Sequence, residues 1–406
     1  MRIHLREDLL PPSLSGPIRV DSYGLPRYWL TAWVALDGAG KSLSTQQRWQ
    51  ASIEKFYLAV ERRLGSDCLD SLLADADLKR LATVLEGYFV ELRNRGLDEG
   101  AGGNQAWREA YQFVRTTLER VLQTPNIPGM DALHERLNKL DKLYSDIKPS
   151  YKAGTKTLRA LPSAVVEDLD ELLYPSSRRN PFRSEDIAYR NFPLYKLLLH
   201  EGLRRSEGGI LALDAIKEGI DPRTGEVRFW INVSENPYEP HDPRYARPGM
   251  KTPLSTRQIP ISDELVSLIE LYTENYRDHQ SHSFLFASQK KKPLSLPMIN
   301  LIFAKLSERL SVAAKKALWD FRRKESVTPH DLRHTCAVVR LTEFLDAGES
   351  MDVALAKLRA FFGWTTDSEM PRHYSRAYFE DRLATVWDRR LDAHIDQLRA
   401  LESRAE

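Results

Sequence analysis

The residues best suited to chemistry begin with the stretch TPHDLRHT at 328–335, which sets His330 and Arg333 three residues apart. If residues 330–342 are helical, both side chains lie on one face of the helix. Histidine exchanges protons near neutral pH and arginine is always charged, so the pair could bind a phosphate and neutralise developing charge. The arginine would repel a metal ion. The residues alone leave open a capped helix with a polar first turn.

Two further stretches of the C-terminal half carry basic residues in prominent positions. EGLRRSE at 201–207 presents Arg204 after a glycine turn, and its planar guanidinium fits a phosphate. Lys251 lies between two extended segments, and Arg257 follows on the return strand. The alternatives are a surface arginine pair at a helix start and a lysine that protects a sheet edge.

The fourth stretch is FFGWTTDSEMPRHY, in which Trp364 follows a helix end and Tyr374 follows a polar loop. These aromatic residues could simply cover the edge of the core. Taken with the basic residues, they suit the cleavage of a phosphodiester. A tyrosine hydroxyl can attack phosphorus and become covalently linked, while charged donors stabilise the transition state. No Asp/Glu cluster with magnesium-site spacing accompanies them, which predicts a site without metal.

From about residue 155 to 390, the sequence resembles the tyrosine recombinases, also called phage-type integrases. GLRRSE resembles the first arginine box of that family, and HDLRHT closely resembles its His-x-x-Arg box. KTPLSTRQIPI is similar to the lysine hairpin between two strands, and FFGWTTDSEMPRHY resembles the box that ends in the nucleophilic tyrosine.

The resemblance implies a role for each matching residue. Tyr374 attacks the scissile phosphate and forms a 3′-phosphotyrosyl link, which frees a 5′-hydroxyl. Arg204 and Arg333 bind the non-bridging oxygens, and Lys251 donates a proton to the leaving 5′ oxygen. The link conserves the phosphoester energy, so rejoining needs no ATP, and no cofactor is expected.

Two other positions of the family's site are matched by His330, which would move the proton of the nucleophile, and Trp364, whose N–H would bind the phosphate. Tyr374 lies ten residues after Trp364, one residue more than family members usually have. Tyr378, roughly one helical turn further on, is a rival nucleophile.

The elements that must position these residues read as mainly α. The 406 residues suggest two or three domains. Helical periods recur at 44–65, 78–96, 106–123 and 128–147, while 225–233 alternates like a strand and 250–262 reads as a strand pair. The predicted fold is a helical N-terminal core-binding domain plus an α-rich catalytic domain with a small antiparallel β-sheet. Its predicted parts are an irregular arm (1–26), the core-binding domain (27–147), a basic linker (148–160), and the catalytic domain with a C-terminal helix (161–406).

The predicted partner is double-stranded DNA with a specific recombination site. The net charge is only +2, so any DNA-binding surface must be local. The linker has an alternative reading as a solvated charged segment. Candidate DNA contacts, besides the catalytic set, are Arg48, Arg115, Lys148, Lys152, Lys156 and Arg257.

Assembly and location are further expectations. The resemblance implies a tetramer on two DNA sites, in which the predicted helix 391–402 docks on a neighbouring protomer or on its own domain. Two cysteines in a long chain suit a reducing compartment. With no apolar run of about 20 residues and no signal peptide, we expect a cytoplasmic, nucleoid-associated protein without a membrane span.

Two alternative functions remain at this stage. A type IB topoisomerase-like enzyme uses a similar set of residues to relax DNA, and a DNA-binding protein could carry an inactive site. The complete set of matching residues argues against the inactive protein. The sequence does not distinguish integration, excision, transposition and dimer resolution, nor does it reveal the target DNA.

Overall fold

The computed structural model divides the chain into two compact units, Met1–Lys156 and Thr157–Glu406. It describes residues 2–5, 16–99, 103–121, 135, 139, 160–244, 247–250, 255–375 and 378. Within these residues, no helix has both the length and the apolar character needed to cross a membrane.

The N-terminal unit is built mainly from helices that bury an aromatic core. Trp33 stacks on Trp49 with ring centroids 4.6 Å apart, and its indole N–H donates to the Thr116 hydroxyl over 2.8 Å. The buried Arg27 holds the edge of this core through ion pairs to Glu54 and Asp67. The helices are α1 (Tyr28–Asp37), α2 (Leu43–Leu64), α3 (Leu69–Ala74), α4 (Leu78–Glu99) and α5 (Gly103–Val121).

Three predicted helices of this unit are confirmed as α2, α4 and α5, whereas the predicted helix at 128–147 lies outside the described residues. Helix α1 was missed because its apolar residues lie on all sides and show no helical period. The expectation of an irregular arm needs correction. Strands β1 (Arg2–Leu5) and β2 (Gly16–Arg19) pair antiparallel, a contact between two segments that local composition does not reveal.

The C-terminal unit is a helical body with one small sheet. Its helices are α6 (Ser163–Leu173), α7 (Glu185–His200), α8 (Arg205–Ile210), α9 (Asp263–Asn275), α10 (Leu296–Arg309), α11 (Val312–Arg322), α12 (Pro329–Asp346) and α13 (Met351–Phe362). Residues 370–375 are also helical. The strands are β3 (Ile216–Ile220), β4 (Val227–Val233) and β5 (Arg257–Ile261).

The sheet is antiparallel in the order β3-β4-β5, with Ile231 of β4 opposite Ile216 and Ile259. It confirms the predicted strand at 225–233 and the second half of the predicted pair at 250–262. Strand β3 was not predicted. The mainly α fold with a small antiparallel sheet is therefore confirmed.

Two cores position the segments that carry the predicted site. The larger one is centred on α7, whose Leu197 and Leu198 are fully buried. The smaller one joins α12, α13 and the segment after α13, and it includes Cys336, Phe362 and Tyr374. Helix α12 lies between them, and most of its first nine residues are buried. The His-x-x-Arg box is therefore held from both sides.

Candidate active site

A single buried carboxylate organises the basic residues of the site. The side chain of Glu207 in α8 is fully buried. Arg257 bonds to it over 2.9 Å, Arg204 forms a short ion pair with its other oxygen, and Arg333 lies 3.8 Å away. Burial alone would raise the pKa of Glu207, but Arg257, then Arg333 and Arg204, lower that pKa to about 2. Glu207 is therefore ionised and holds three guanidinium groups around one point.

The glycine turn before α8 lets Arg333 reach this point. Gly202 adopts a left-handed backbone with φ +56°, and its carbonyl oxygen accepts a hydrogen bond of 2.6 Å from Arg333. A Cβ at this position would lie 2.4 Å from the Phe362 ring. The next turn is closed by a capping box, in which the Arg204 backbone N–H donates to Glu207 over 2.8 Å.

Among Arg204, Arg257 and Arg333, the most buried is Arg333, with 4% of its side chain exposed. It donates a hydrogen bond of 2.8 Å to the Phe362 carbonyl, and its guanidinium carbon lies 4.7 Å from the centre of that ring. Burial, and then the charge of Arg204, lower the pKa of Arg333 to about 9. The group still carries its charge at neutral pH.

Arg204, His330 and Arg333 line one cleft of about 680 Å³, together with Arg205 and Thr328. The structure therefore brings residues of both arginine boxes to one cleft. His330 is exposed, and its ring lies edge-on to that of His334 at 4.1 Å.

Tyr374 is held in a different environment. It is 1% exposed and stacks on Trp364 at 5.5 Å, and Trp364 stacks in turn on Phe362 at 4.8 Å. The Tyr374 hydroxyl forms a short hydrogen bond with Nδ1 of His334.

Burial shifts the pKa of both partners in this bond. Burial, and then the charge of His330, lower the pKa of His334 to about 3, so its imidazole is neutral at neutral pH. Burial raises the pKa of Tyr374 above its usual range, so the hydroxyl keeps its proton. The predicted nucleophile is thus protonated and withdrawn from solvent.

Sequence reasoning assigned no chemistry to His334 and did not single out Glu207. For both residues, the spacing to a neighbouring site residue could have indicated a role. Glu207 follows Arg204 by three residues, the spacing of a capping box, and His334 follows His330 by four, which puts them on one helix face.

The comparison with protein families decides the identity of this fold. The model of the phage integrase family matches residues 167–381, which is more than half of the chain. The chain belongs to the phage integrase family. Its expected class, a tyrosine-type site-specific DNA recombinase, is confirmed at this level.

Two solved structures are reported for comparison, and the first of them shares the fold. The Tn1549 transposon integrase in complex with a circular intermediate DNA is 17% identical, with a TM-score of 0.50 over 87% of this chain and 98% of that chain. The XerH recombinase bound to its difH substrate is 16% identical, with a TM-score of 0.48 over 91% and 85% of the two chains. No protein with a curated description matches this sequence.

The other expected site residues of this family member have different outcomes. Lys251 lies in 251–254, outside the described residues, as do Lys148, Lys152 and Lys156 of the expected linker. Tyr378 packs against the core that contains Tyr374.

The expected DNA contact at Arg257 needs correction. Its side chain is 5% exposed, and besides Glu207 it donates to the carbonyls of Phe361, over 2.7 Å, and Ser255, over 2.8 Å. With its donors used inside the protein, Arg257 supports the site rather than facing DNA. In the N-terminal unit, Arg48 is 53% exposed beside Glu109, and Arg115 is paired with Glu119 at 2.9 Å.

Proposed function

We propose that this chain cleaves and rejoins double-stranded DNA at a specific site through a 3′-phosphotyrosyl intermediate, without metal or ATP. The observation that supports the proposal most is the cleft lined by Arg204, His330 and Arg333. Arg204 and Arg333 are anchored by the ionised Glu207, so their remaining donors are oriented before substrate binds.

In the proposed reaction, the Tyr374 oxygen bonds to phosphorus as the bond from phosphorus to the 5′ oxygen breaks. The tyrosine proton passes to His330, and Lys251 gives a proton to the leaving 5′ oxygen. Arg204, Arg333 and the Trp364 indole N–H stabilise the charge on the phosphate oxygens. The reverse steps, with a 5′-hydroxyl from another strand, complete the exchange.

The burial of Tyr374 adds one requirement to this scheme. Its hydroxyl must break the hydrogen bond to His334 and move next to the scissile phosphate. The segment from Trp364 to Tyr374 therefore has to rearrange before cleavage. The proposed active state therefore differs from the described one in the position of this tyrosine.

We further propose the partners and the parts of the chain that bind them. The Tn1549 integrase and XerH were solved with circular intermediate DNA and difH DNA, and here the partner is duplex DNA that carries a recombination site. Four protomers act on two sites. In this scheme, residues 27–147 form the core-binding domain, with Arg48 and Arg115 near the backbone, and 161–406 form the catalytic domain. The basic linker 148–160 joins them, and the tail 391–402 docks on a neighbour.

The decisive experiment traps the covalent link. Nicked suicide duplexes from a randomised pool are incubated with the protein, and adducts are resolved under denaturing conditions. We expect an adduct with the wild type and with Tyr378→Phe, the matched control, and none with Tyr374→Phe. An adduct in Tyr374→Phe would refute the assignment of the nucleophile. Efficient relaxation of a supercoiled plasmid without a selected site would favour a topoisomerase-like activity instead.

A further inference from the structure

Helix α11 presents an unusual exposed face. Positions 312, 316, 319 and 323 follow the helical period along one side, opposite the buried Ala314 and Leu318. On that side Val312 is 87% exposed and Trp319 is 47% exposed. We call this surface the α11 face and define it as Val312, Lys315, Lys316, Trp319 and Arg323.

The α11 face is strongly basic in a chain that is almost neutral. Three of its five residues, Lys315, Lys316 and Arg323, are basic and none is acidic, whereas the net charge of the whole protein is only +2. Lys316 is exposed, and Lys315 gives one donor to the Glu308 carbonyl over 2.9 Å and retains two. The guanidinium carbon of Arg323 lies 6.0 Å from the centre of the Trp319 ring.

This face adjoins the catalytic cleft through the segment that joins α11 to α12. Arg322, at the end of α11, bonds over 3.0 Å to Asp331 in the first turn of α12, and Lys324 pairs with the same carboxylate over 2.5 Å. The following residues, 326–330, line the cleft that contains His330 and Arg333. The chain that leaves the α11 face therefore leads directly into residues that line the cleft.

We propose that the α11 face binds the phosphate backbone of the DNA duplex beyond the scissile phosphate. The inference rests on the proposed function, since it takes the same DNA as the molecule in the cleft. In this arrangement Lys315 and Lys316 each bind a phosphate, and Arg323, about 10 Å from Lys316 along the helix axis, reaches a further phosphate. Trp319 between them offers an N–H donor to the same backbone.

The charge of the face favours DNA over a second protein. Protein interfaces enrich aromatic residues and arginine but deplete lysine, and here two adjacent lysines are exposed. DNA supplies a row of phosphate anions, so these lysines can be neutralised without acidic side chains from a second protein. The face therefore extends the electrostatic footprint from the cleft along the duplex.

The test measures how binding depends on salt. The double variant Lys315→Ala/Lys316→Ala and the wild type are titrated onto a labelled random-sequence duplex of about 40 base pairs between about 50 and 200 mM salt. Each lost phosphate contact lowers the slope of log affinity against log salt by about 0.9, so a decrease of about 1.8 is expected. Affinity at 0.1 M salt should fall by roughly tenfold for each lost contact. Alanine favours helix at these exposed positions, so folding should be retained.

The matched control is Lys290→Ala/Lys292→Ala, which removes two exposed lysines from another part of the same unit. An unchanged slope in the α11 variant, or the same decrease in the control, would overturn the proposal. So would an unchanged slope combined with a loss of self-association, because the face would then bind a second copy. Adduct formation by the wild type tests the proposed function separately, since salt-dependent binding can be measured whether or not cleavage occurs.

Discussion

Replacing Glu207 by glutamine should strongly destabilise the C-terminal unit while barely changing its shape. Glutamine has nearly the same size but no charge, so Arg204, Arg257 and Arg333 would lose the carboxylate that holds them. The change tests whether one buried anion organises the whole basic site.

The magnitude follows from the pKa of Glu207, which falls from 4.5 to about 2 on folding. At about 1.4 kcal/mol for each pH unit, this shift stabilises the folded state by about 3 kcal/mol. Removing one partner from a buried charge network usually costs about 3–5 kcal/mol, which agrees. Because the pKa is lowered on folding, the stabilisation is complete above about pH 4.5 and is lost as the pH falls towards 2.

The measurement is urea unfolding of the full chain, with hydrogen exchange of α7 amides to assign the transition to the C-terminal unit. We expect Glu207→Gln to lower the free energy of unfolding by about 3 kcal/mol at pH 7 and by much less near pH 2–3. Glu218→Gln, at an exposed position of β3, should have almost no effect and serves as the control. A loss below about 1 kcal/mol at pH 7, or a difference that persists at low pH, would refute this reasoning.

Three other changes test the surroundings of the site. Gly202→Ala puts a Cβ 2.4 Å from a ring carbon on a left-handed backbone, so it should cost about 3 kcal/mol in urea unfolding. Gly225→Ala, with a left-handed backbone in open space, should cost only about 1 kcal/mol. His334→Phe removes the hydrogen-bond partner of the Tyr374 hydroxyl, and adduct formation at saturating DNA should become about fivefold faster or more; an unchanged rate would show that this bond does not restrain the tyrosine. Burial raises the pKa of the Cys336 thiol to about 12, so a disulfide reagent should label it at the rate of unfolding, and immediate labelling of the native protein would contradict this.

Local patterns predicted several helices of the N-terminal unit and one strand of the C-terminal unit. The helical periods of α2, α4 and α5 and the alternation of β4 were legible because each element buries one face. Helix α1 was missed, since it is apolar on all sides, and so was the pairing of β1 with β2, which joins segments separated by ten residues.

The sequence by itself determined which residue types could act on a phosphate and their spacing within each box. Arg204, His330 and Arg333 were selected in this way, and they line one cleft. The roles assigned to them, and to Lys251, Trp364 and Tyr374, remain predictions that the adduct experiment tests.

Only the tertiary structure decided what each charged or polar group faces. Glu207 joins arginines from three segments of the chain, Arg257 turns inward, and Tyr374 bonds to His334 forty residues away. The periodicity of apolar residues indicates which face of a helix or strand is buried. It does not indicate which distant side chain packs against that face. That choice depends on how α8, β5 and α12 pack, and packing fixes the burial and the local charge that set each pKa.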